Sequence, residues 1–267
     1  GAIDKSVYIS SLAFDVANEC VFLGLYRTDF NNNDRVWDLI FKSFPCIKNF
    51  NGTLASWGGK LEKTGPNNFI LSVGDAFHDG INNDDITKIK DSSYGKIFSF
   101  DTNSNQYNIF TKGHRNPQGL HFDGINIFET EHGPVGGDEL NILRINEDYG
   151  WPYETYGKEY SSNTWPPNPN KGFHSNFSKP LFAWIPSIGV SDLTKIPNKH
   201  LSPWKGDIII SSLSAQSIYR MRFIDDNKLQ NIEKIKLNHR IRSIELLKDN
   251  IFFSTDNEGL LGIISIK

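Results

Sequence analysis

The chain has 267 residues, of which 38% are hydrophobic and 13% aromatic, so it is long enough to bury a substantial core. Lysine and arginine total 28 against 31 aspartates and glutamates, and this net charge of −3 argues against a nucleic-acid-binding protein, which usually carries a basic excess. No window holds the roughly 18 apolar residues that a membrane helix needs, and the first residues, GAIDKSVYIS, do not read as a signal peptide, so membrane insertion is not expected.

Short apolar and aromatic runs, bounded by Gly, Asn, Asp and Pro, recur along the chain and indicate strands rather than helices. They include SVYISSLAFD (6–15), ECVFLGLYRT (19–28), NNFILSVGD (67–75), GINIFETEHG (124–133) and DNIFFSTDNEG (249–259). Residues 97–110 predict a hairpin and residues 206–237 a three-stranded meander. Recurrence at irregular multiples of roughly 40 residues favours a single β-propeller domain over 1–267, while a β-sandwich or barrel is the alternative with the same strand pattern.

Two loops stand out from this strand pattern. GHRNPQGL (113–120) places a cation and two amides on a tight corner, either as a solvated turn or as a loop that holds an anionic or polar ligand. The stretch 146–180 is rich in Trp, Tyr, Pro and Asn, and such a long irregular loop in a compact domain is usually functional. We expect both loops on the same rim of the propeller.

The two cysteines, Cys20 and Cys46, are too few for a disulfide framework or a zinc site. They are able to form one bridge in an oxidising compartment. The sequence favours the other interpretation, two separate buried thiols.

Six motifs occur in an order that resembles the soluble quinoprotein sugar dehydrogenases, especially the aldose sugar dehydrogenase branch. They are GHRNPQGL (113–120), ETEHGPVGGDELNIL (129–143), DYGWP (148–152), WIPSIGVSDL (184–193), GDIIISSLS (206–214) and HRIRSIELL (239–247). The resemblance implies a periplasmic or secreted six-bladed β-propeller that holds pyrroloquinoline quinone (PQQ) and calcium and acts on an aldose sugar or another small polar ligand. Family members carry an additional N-terminal segment with a Gln-Gly-Gly-Leu type motif, which precedes the point where this chain begins, so we expect part of the first blade to be lacking.

The resemblance also implies a role for each matching residue. For the cofactor, it places Arg115 and Asn116 at the quinone's reactive edge, Arg240 and Arg242 on the carboxylates, and Ser187 and Ser214 among the other contacts. For calcium, it places the carbonyls of Gly133 and Pro134 on the PQQ-bound ion, and Glu139 and Tyr149 on a second ion. The chemistry is consistent, because the planar fork of arginine suits carboxylates and calcium prefers oxygen ligands. Arg240 and Arg242 are two positions apart, so on a strand both point to one face.

Two departures bear on activity. Ser56, in SWGGK, stands where the family has its catalytic His, and Ser214 stands where it has a cofactor-facing Lys. A base with a pKa near the working pH removes the substrate proton well, and His78 is a candidate substitute for it. The prediction is a PQQ- and calcium-dependent aldose dehydrogenase-like propeller of weak or no activity; the alternative is a non-catalytic extracellular calcium-binding propeller that binds a sugar, an anion or a protein partner.

Overall fold

A computed structural model describes residues 2–3, 6–30, 36–48, 55–78, 86–158, 173–225 and 228–266. Over these ranges the regular structure consists of 19 β-strands and one turn of 3-10 helix, Ile86–Lys88. The all-β prediction is therefore confirmed. Across the same ranges, no helix has the length and apolar character required to cross a membrane.

The chain divides into two compact units, and the first comprises residues 1–117, 144–154 and 174–178. It contains two four-stranded sheets in which sheet neighbours follow each other in the chain, β1-β2-β3-β4 and β5-β6-β7-β8. The strands are β1 (Ala2–Ile3), β2 (Ser6–Asp15), β3 (Cys20–Asp29), β4 (Asp38–Lys42), β5 (Gly58–Lys63), β6 (Asn68–Val73), β7 (Lys96–Asp101) and β8 (Gln106–Lys112). The predicted hairpin at 97–110 is confirmed, because β7 pairs antiparallel with β8.

The core of the first unit is built from the inner strands. β3 and β6 are buried along most of their length, as expected for central strands covered on both faces. Aromatic rings pack together in this core. The rings of Phe69 and Phe100 stack with centroids 4.9 Å apart, and the ring centroids of Phe41 and Phe98 are 5.1 Å apart. Aromatic pairs of this kind contribute beyond the area that they bury.

Cys20 and Cys46 form a disulfide in the first unit, with their Cα atoms 5.6 Å apart. The expectation of two separate thiols is wrong. The reason is local backbone pairing, since Val21 and Ile47 exchange two backbone hydrogen bonds of 2.8 and 2.9 Å beside the bridge. This pairing brings together two cysteines whose separation of 26 residues does not reveal that they are neighbours.

The second unit comprises residues 118–143, 155–173 and 179–267. It contains three sheets, ordered β12-β11-β10-β9, β13-β14-β15-β16 and β17-β18-β19. The strands are β9 (Pro117–Phe122), β10 (Ile127–Glu131), β11 (Asp138–Leu143), β12 (Phe182–Trp184), β13 (Val190–Lys195), β14 (Ile208–Ser212), β15 (Ser217–Ile224), β16 (Lys228–Lys236), β17 (Ile241–Leu247), β18 (Asn250–Thr255) and β19 (Leu261–Ser265). β14, β15 and β16 pair antiparallel in chain order, which confirms the predicted meander at 206–237.

Burial within the second unit follows the position of each strand in its sheet. The central strand β14 is buried throughout, and its Ile210 packs with Val190 and Met221 in one apolar cluster. The edge strand β16 is largely exposed and carries Lys228, Lys234 and Lys236. Charged edge strands of this type resist pairing with other chains.

The described residues form five sheets of propeller-blade type rather than the six blades that were expected. The first sheet of the described residues has four strands and the last, β17–β19, has three, so the expectation that part of the family's first blade is lacking stays a prediction. Four of these sheets have four strands and one has three, and together they contain all 19 strands of the described residues. The assignment of the whole chain to a single domain stays a prediction. In the loop predicted at 146–180, residues 159–172 lie outside the described ranges.

Candidate functional site

The corner that carries Arg115 begins where β8 ends, and glycine is required at its first position. Gly113 has φ +77°, and a Cβ atom there would lie 2.2 Å from Asp148 Oδ1. The next residue, His114, stacks its ring on Tyr149 with centroids 4.9 Å apart. The corner is thus held against the DYGWP motif within the first unit.

Arg115 is buried, with 5% of its surface exposed, in an aromatic setting. Its Cζ atom lies 5.4 Å from the centroid of the Trp151 ring and 5.6 Å from that of Phe77. The buried carboxylate of Asp75 organises both rings: it accepts 2.8 Å from Trp151 Nε1 and 2.9 Å from the Phe77 backbone N–H. Asp75 in turn donates its own N–H to the Arg115 carbonyl over 2.8 Å. The sequence did not single out Asp75 or Trp151, and the only signal was their place in a strand-end loop and in DYGWP.

Asn116 is buried beside Arg115 in the sequence, with 8% of its surface exposed. Tyr149, expected at the second calcium, belongs to the same unit, and its hydroxyl accepts the Arg144 backbone N–H over 3.0 Å. Glu139, its expected partner in that role, belongs to the second unit. The structure therefore assigns the Tyr149 hydroxyl a protein partner.

Ser56 and His78 approach the same strand ends of the first unit. Ser56 is buried with φ +64°, its carbonyl accepts the Ala76 N–H over 2.8 Å, and its Oγ has no hydrogen-bond partner among the described residues. His78 is half-buried, with Nδ1 2.9 Å from the Ala76 carbonyl. A carbonyl only accepts, so Nδ1 carries the proton and the lone pair of the neutral ring lies on Nε2. The basic nitrogen of the neutral His78 ring is therefore Nε2.

The corner 133–137 in the second unit is closed by Asp138, which sequence reasoning missed. One Asp138 oxygen accepts the Gly133 N–H over 3.2 Å. The other accepts three backbone N–H groups at 2.7–3.0 Å, from Ile188, Gly189 and Val190. A Cβ atom on Gly133 would lie 2.2 Å from the Gly136 carbonyl oxygen, so glycine is required there. One buried carboxylate therefore ties the predicted calcium corner to the loop that follows β12.

Ser187 and Ser214 lie in or beside the loop that follows β12. Ser187 Oγ is buried and has no hydrogen-bond partner in the part of the chain that the structure describes. Ser214 is exposed, and its Oγ would be 2.9 Å from a Cβ atom added to Gly189. The structure thus brings both predicted cofactor contacts close to the Asp138 loop, through Gly189 and its neighbours.

Arg240 and Arg242 contact one carboxylate, that of Asp256. Arg240 donates to Asp256 Oδ2 at 3.2 and 3.3 Å, and Arg242 donates to Oδ1 at 2.5 and 2.8 Å. Arg242 also donates to Gln118 Oε1 over 3.2 Å. Burial raises the pKa of Asp256, but the hydrogen bonds and charges of Arg242 and Arg240 outweigh it and hold the pKa below its usual value. Both arginine side chains stay about two-fifths exposed while they contact Asp256.

Three glutamates and one asparagine form an acidic cluster on β10 and β11: Glu129, Glu131, Glu139 and Asn141. Asn141 Nδ2 lies 2.9 Å from a Glu129 oxygen and 3.4 Å from one oxygen each of Glu131 and Glu139. All four residues are buried. Burial first, and then the charges of Glu131 and Glu139, raise the pKa of Glu129 well above its usual value, against the opposing effect of the Asn141 hydrogen bond. Only Glu139 of this cluster was singled out from the sequence.

The chain is similar to known sugar dehydrogenases over most of its length. The family described as Glucose / Sorbosone dehydrogenase matches residues 32–262. Aldose sugar dehydrogenase YliI of Escherichia coli is 28% identical over 155 residues, which make up 57% of this chain and 41% of that protein. The matched segments span about two-fifths of the length of this relative and of an uncharacterized protein of Synechocystis.

Solved structures share the fold. A glucose dehydrogenase crystal structure superposes with a TM-score of 0.81 at 24% identity, covering 98% of this chain and 78% of the other. A PQQ-bound aldose sugar dehydrogenase from Streptomyces coelicolor superposes with a TM-score of 0.69 at 18% identity, covering 97% of this chain and 74% of the other. At these identities the likeness concerns the fold.

Proposed function

Because this chain belongs to the Glucose / Sorbosone dehydrogenase family, we propose that it is a PQQ- and calcium-dependent aldose dehydrogenase-like protein with weak turnover. The observation that carries this proposal is the arginine pair, Arg240 and Arg242. Both side chains bind the carboxylate of Asp256 and remain about two-fifths exposed to solvent. Arginine forks of this geometry suit the carboxylates of PQQ.

The described residues fit the cofactor at its carboxylate end. Arg240 and Arg242 would hold the carboxylates, and Ser187, whose Oγ has no hydrogen-bond partner among the described residues, offers a further polar contact. PQQ, when bound, would supply the hydride acceptor for oxidation of the sugar at its anomeric carbon. In the first unit the rings of Trp151 and Phe77 hold Arg115, for which the family resemblance implies a positive charge at the quinone's reactive edge.

Weak turnover follows from Ser56. A serine hydroxyl without an assisting base does not take the proton of the anomeric hydroxyl at neutral pH, and Ser56 Oγ has no partner among the described residues to assist it. His78 Nε2 is the remaining candidate base, because Nδ1 faces the Ala76 carbonyl. Ser214 also lacks the charge of the family's lysine, which weakens cofactor binding.

Calcium is part of this proposal at the corner that Asp138 closes. The carbonyls of Gly133 and Pro134 would bind it, since calcium favours oxygen ligands from a bent backbone. Asp138 keeps the corner in shape by accepting the Gly133 N–H. The Cys20–Cys46 disulfide supports a periplasmic or secreted location, because such bridges persist in oxidising compartments.

The second candidate function is a non-catalytic calcium-binding protein that recognises a sugar, an anion or a protein partner. Ser56 favours it, since the family's base is replaced while the arginine pair is kept. It predicts anion binding at Arg240 and Arg242 without sugar oxidation at any PQQ concentration.

The test is a titration of the full chain with PQQ in the presence of calcium, followed by absorbance and calorimetry. We expect one PQQ per chain and loss of binding in Arg242→Gln. Arg222→Gln is the matched control, because Arg222 is similarly exposed and also pairs with a single aspartate, Asp207. Equal PQQ binding by Arg242→Gln and Arg222→Gln would overturn the cofactor assignment.

A further inference from the structure

We propose that a cavity of the second unit, at the far ends of β9, β13 and β17, binds an uncharged saccharide. The cavity has a volume of about 490 Å³, which lies within the range of small-molecule sites in proteins. Its lining includes Phe122, Asp123, Lys195, Asn198, Lys199 and Glu245. The proposal goes beyond the proposed function and does not rest on it.

The cavity is separate from the predicted cofactor contacts of the same unit. Arg242 lies near the start of β17 and Leu246, which lines the cavity, near its end; this advance along a strand corresponds to about 13 Å. Likewise, Ser187 precedes β13, whereas Lys195 ends it. The two strands therefore have predicted cofactor residues at one end and the cavity at the other.

The charges that line the cavity are balanced. Lys195 and Lys199 face the carboxylates of Asp123 and Glu245 in the same lining. A ligand with a large net charge would be attracted by one pair and repelled by the other. An uncharged ligand that both donates and accepts hydrogen bonds is able to use both pairs. Hydroxyl groups have this property, because each offers one O–H donor and two acceptor lone pairs.

One polar pair of the lining is held in place by the fold itself. Asp123 Oδ2 accepts a 2.5 Å hydrogen bond from Lys195 Nζ, and Oδ1 accepts the backbone N–H groups of Ile125 and Asn126 at 2.9 and 2.8 Å. Burial raises the pKa of Asp123, but the hydrogen bonds from Lys195 and the two N–H groups outweigh it and lower the pKa. An ammonium group has three donors, so Lys195 has donors beyond the one that Asp123 accepts. Polar groups fixed in this way cost little entropy on binding.

An apolar wall complements these polar groups. Phe122, Pro197 and Leu246 line the cavity, and Phe122 and Leu246 are half-buried. Small-molecule sites usually combine apolar and aromatic walls with a few well-placed polar groups. A sugar ring has the matching surface, since its C–H faces pack against apolar side chains while its hydroxyls reach polar ones.

The experiment is a titration of the chelator-treated full chain, without PQQ, with methyl β-glucoside, which has no anomeric hydroxyl to oxidise. Calorimetry compares the native chain with Asn198→Ala/Lys199→Ala and Lys236→Ala. Asn198 and Lys199 are exposed on the turn after β13, so their removal should not impair folding. Lys236 is an exposed lysine of β16 that does not line the cavity, and it serves as the control.

We expect the native chain to bind the glucoside, the double variant to bind it about tenfold more weakly, and Lys236→Ala to bind it as the native chain does. The weakening corresponds to the loss of a hydrogen bond that a charged group donates. Equal affinity in all three proteins, or no binding by the native chain, would overturn the proposal.

Two further probes test the class of ligand. Gluconate adds a negative charge to the hydroxyls of a sugar, and glycine betaine has two opposite charges and no hydroxyl. We expect both compounds to bind more weakly than methyl β-glucoside. Tighter binding of either compound, lost in the double variant, would show that the cavity does not select an uncharged saccharide.

Hydrogen exchange on the native chain locates the bound glucoside without any substitution. We expect slower amide exchange in residues 121–123, 194–199 and 245–247, and unchanged exchange in residues 240–242. Protection confined to 240–242 would mean that the sugar binds beside the arginine pair, and it would contradict the cavity site. Failure of the PQQ titration would leave these results untouched, so the saccharide site and the cofactor assignment fail separately.

Discussion

The indole nitrogen of Trp151 donates a 2.8 Å hydrogen bond to the carboxylate of Asp75, although the two residues are 76 positions apart. Both are buried, with 5% and 1% of their surfaces exposed. The bond joins the DYGWP motif to the loop after β6 and holds one of the two rings that lie near Arg115. The setting of the buried arginine is therefore decided by a carboxylate that does not belong to its own motif.

Trp151→Phe keeps an aromatic ring but removes the N–H that Asp75 accepts. We expect a loss of about 1–3 kcal/mol in the free energy of unfolding, the usual cost of leaving a buried polar group without its partner. Denaturant unfolding measures it. Trp57→Phe is the matched control, because Trp57 is as buried as Trp151 and its Nε1 has no hydrogen-bond partner among the described residues. Equal losses in both variants would contradict a specific role for the Trp151–Asp75 bond.

Cys46→Ser removes the disulfide with Cys20. We expect the free energy of unfolding to fall by about 3 kcal/mol, because the unfolded chain is released from a closed loop of this length. The double variant Cys20→Ser/Cys46→Ser should match the single one, since one bridge is lost in each. A thiol count on the unmutated chain, unfolded in denaturant without a reducing agent, provides the check. Two reactive thiols would show that the bridge is not formed.

Acid should break the contact of Asp256 with Arg242 and Arg240 only below the usual aspartate range. Burial alone would raise the pKa of Asp256, but the two arginines hold it lower, so this carboxylate stays ionised when ordinary ones are protonated. A lowered pKa in the folded state contributes stability above the unfolded value of about 3.9, and that stability is lost as the pH falls through the folded pKa.

Denaturant unfolding of the native chain and Asp256→Asn between pH 7 and pH 2 measures this contribution. We expect the native chain to be the more stable at pH 7, with the difference shrinking below about pH 4. A stability difference that stays constant over this range would show that the ion pair does not account for it.

Ser56→His should raise sugar oxidation if the rest of the site is competent. A positioned base contributes about 10²–10⁴-fold to rate, and histidine tolerates the positive φ of this position better than most residues. A dye-reduction assay with PQQ, calcium and glucose measures the change. Ser56→Asn, which suits the same backbone but provides no base, should remain as slow as the native chain.

His78→Ala in the same assay decides whether the native chain has a substitute base. We expect the residual rate to fall, since His78 is oriented with Nε2 as its basic nitrogen. A native chain that is already fast, and that stays fast in His78→Ala, would show that neither position 56 nor His78 limits the reaction.

Local patterns in the sequence determined the strands and their nearest pairings. The hairpin of β7 and β8 and the meander of β14 to β16 were predictable because turn residues separate short apolar runs that pair with the next run in the chain. The spacing of Arg240 and Arg242 likewise predicted that both point to one face, and both contact Asp256. These features depend on periodicities that extend over a few residues only.

Only the tertiary structure decided which distant residues meet. The Cys20–Cys46 bridge follows from backbone pairing of Val21 with Ile47, Asp138 reaches backbone groups about 50 positions away, and Asp75 reaches Trp151. The number of sheets, five in the described residues rather than six, was also decided only by the tertiary structure. Burial gives Glu129 its chemistry, because a carboxylate that would be ordinary in water becomes costly once β10 and β11 enclose it with two others.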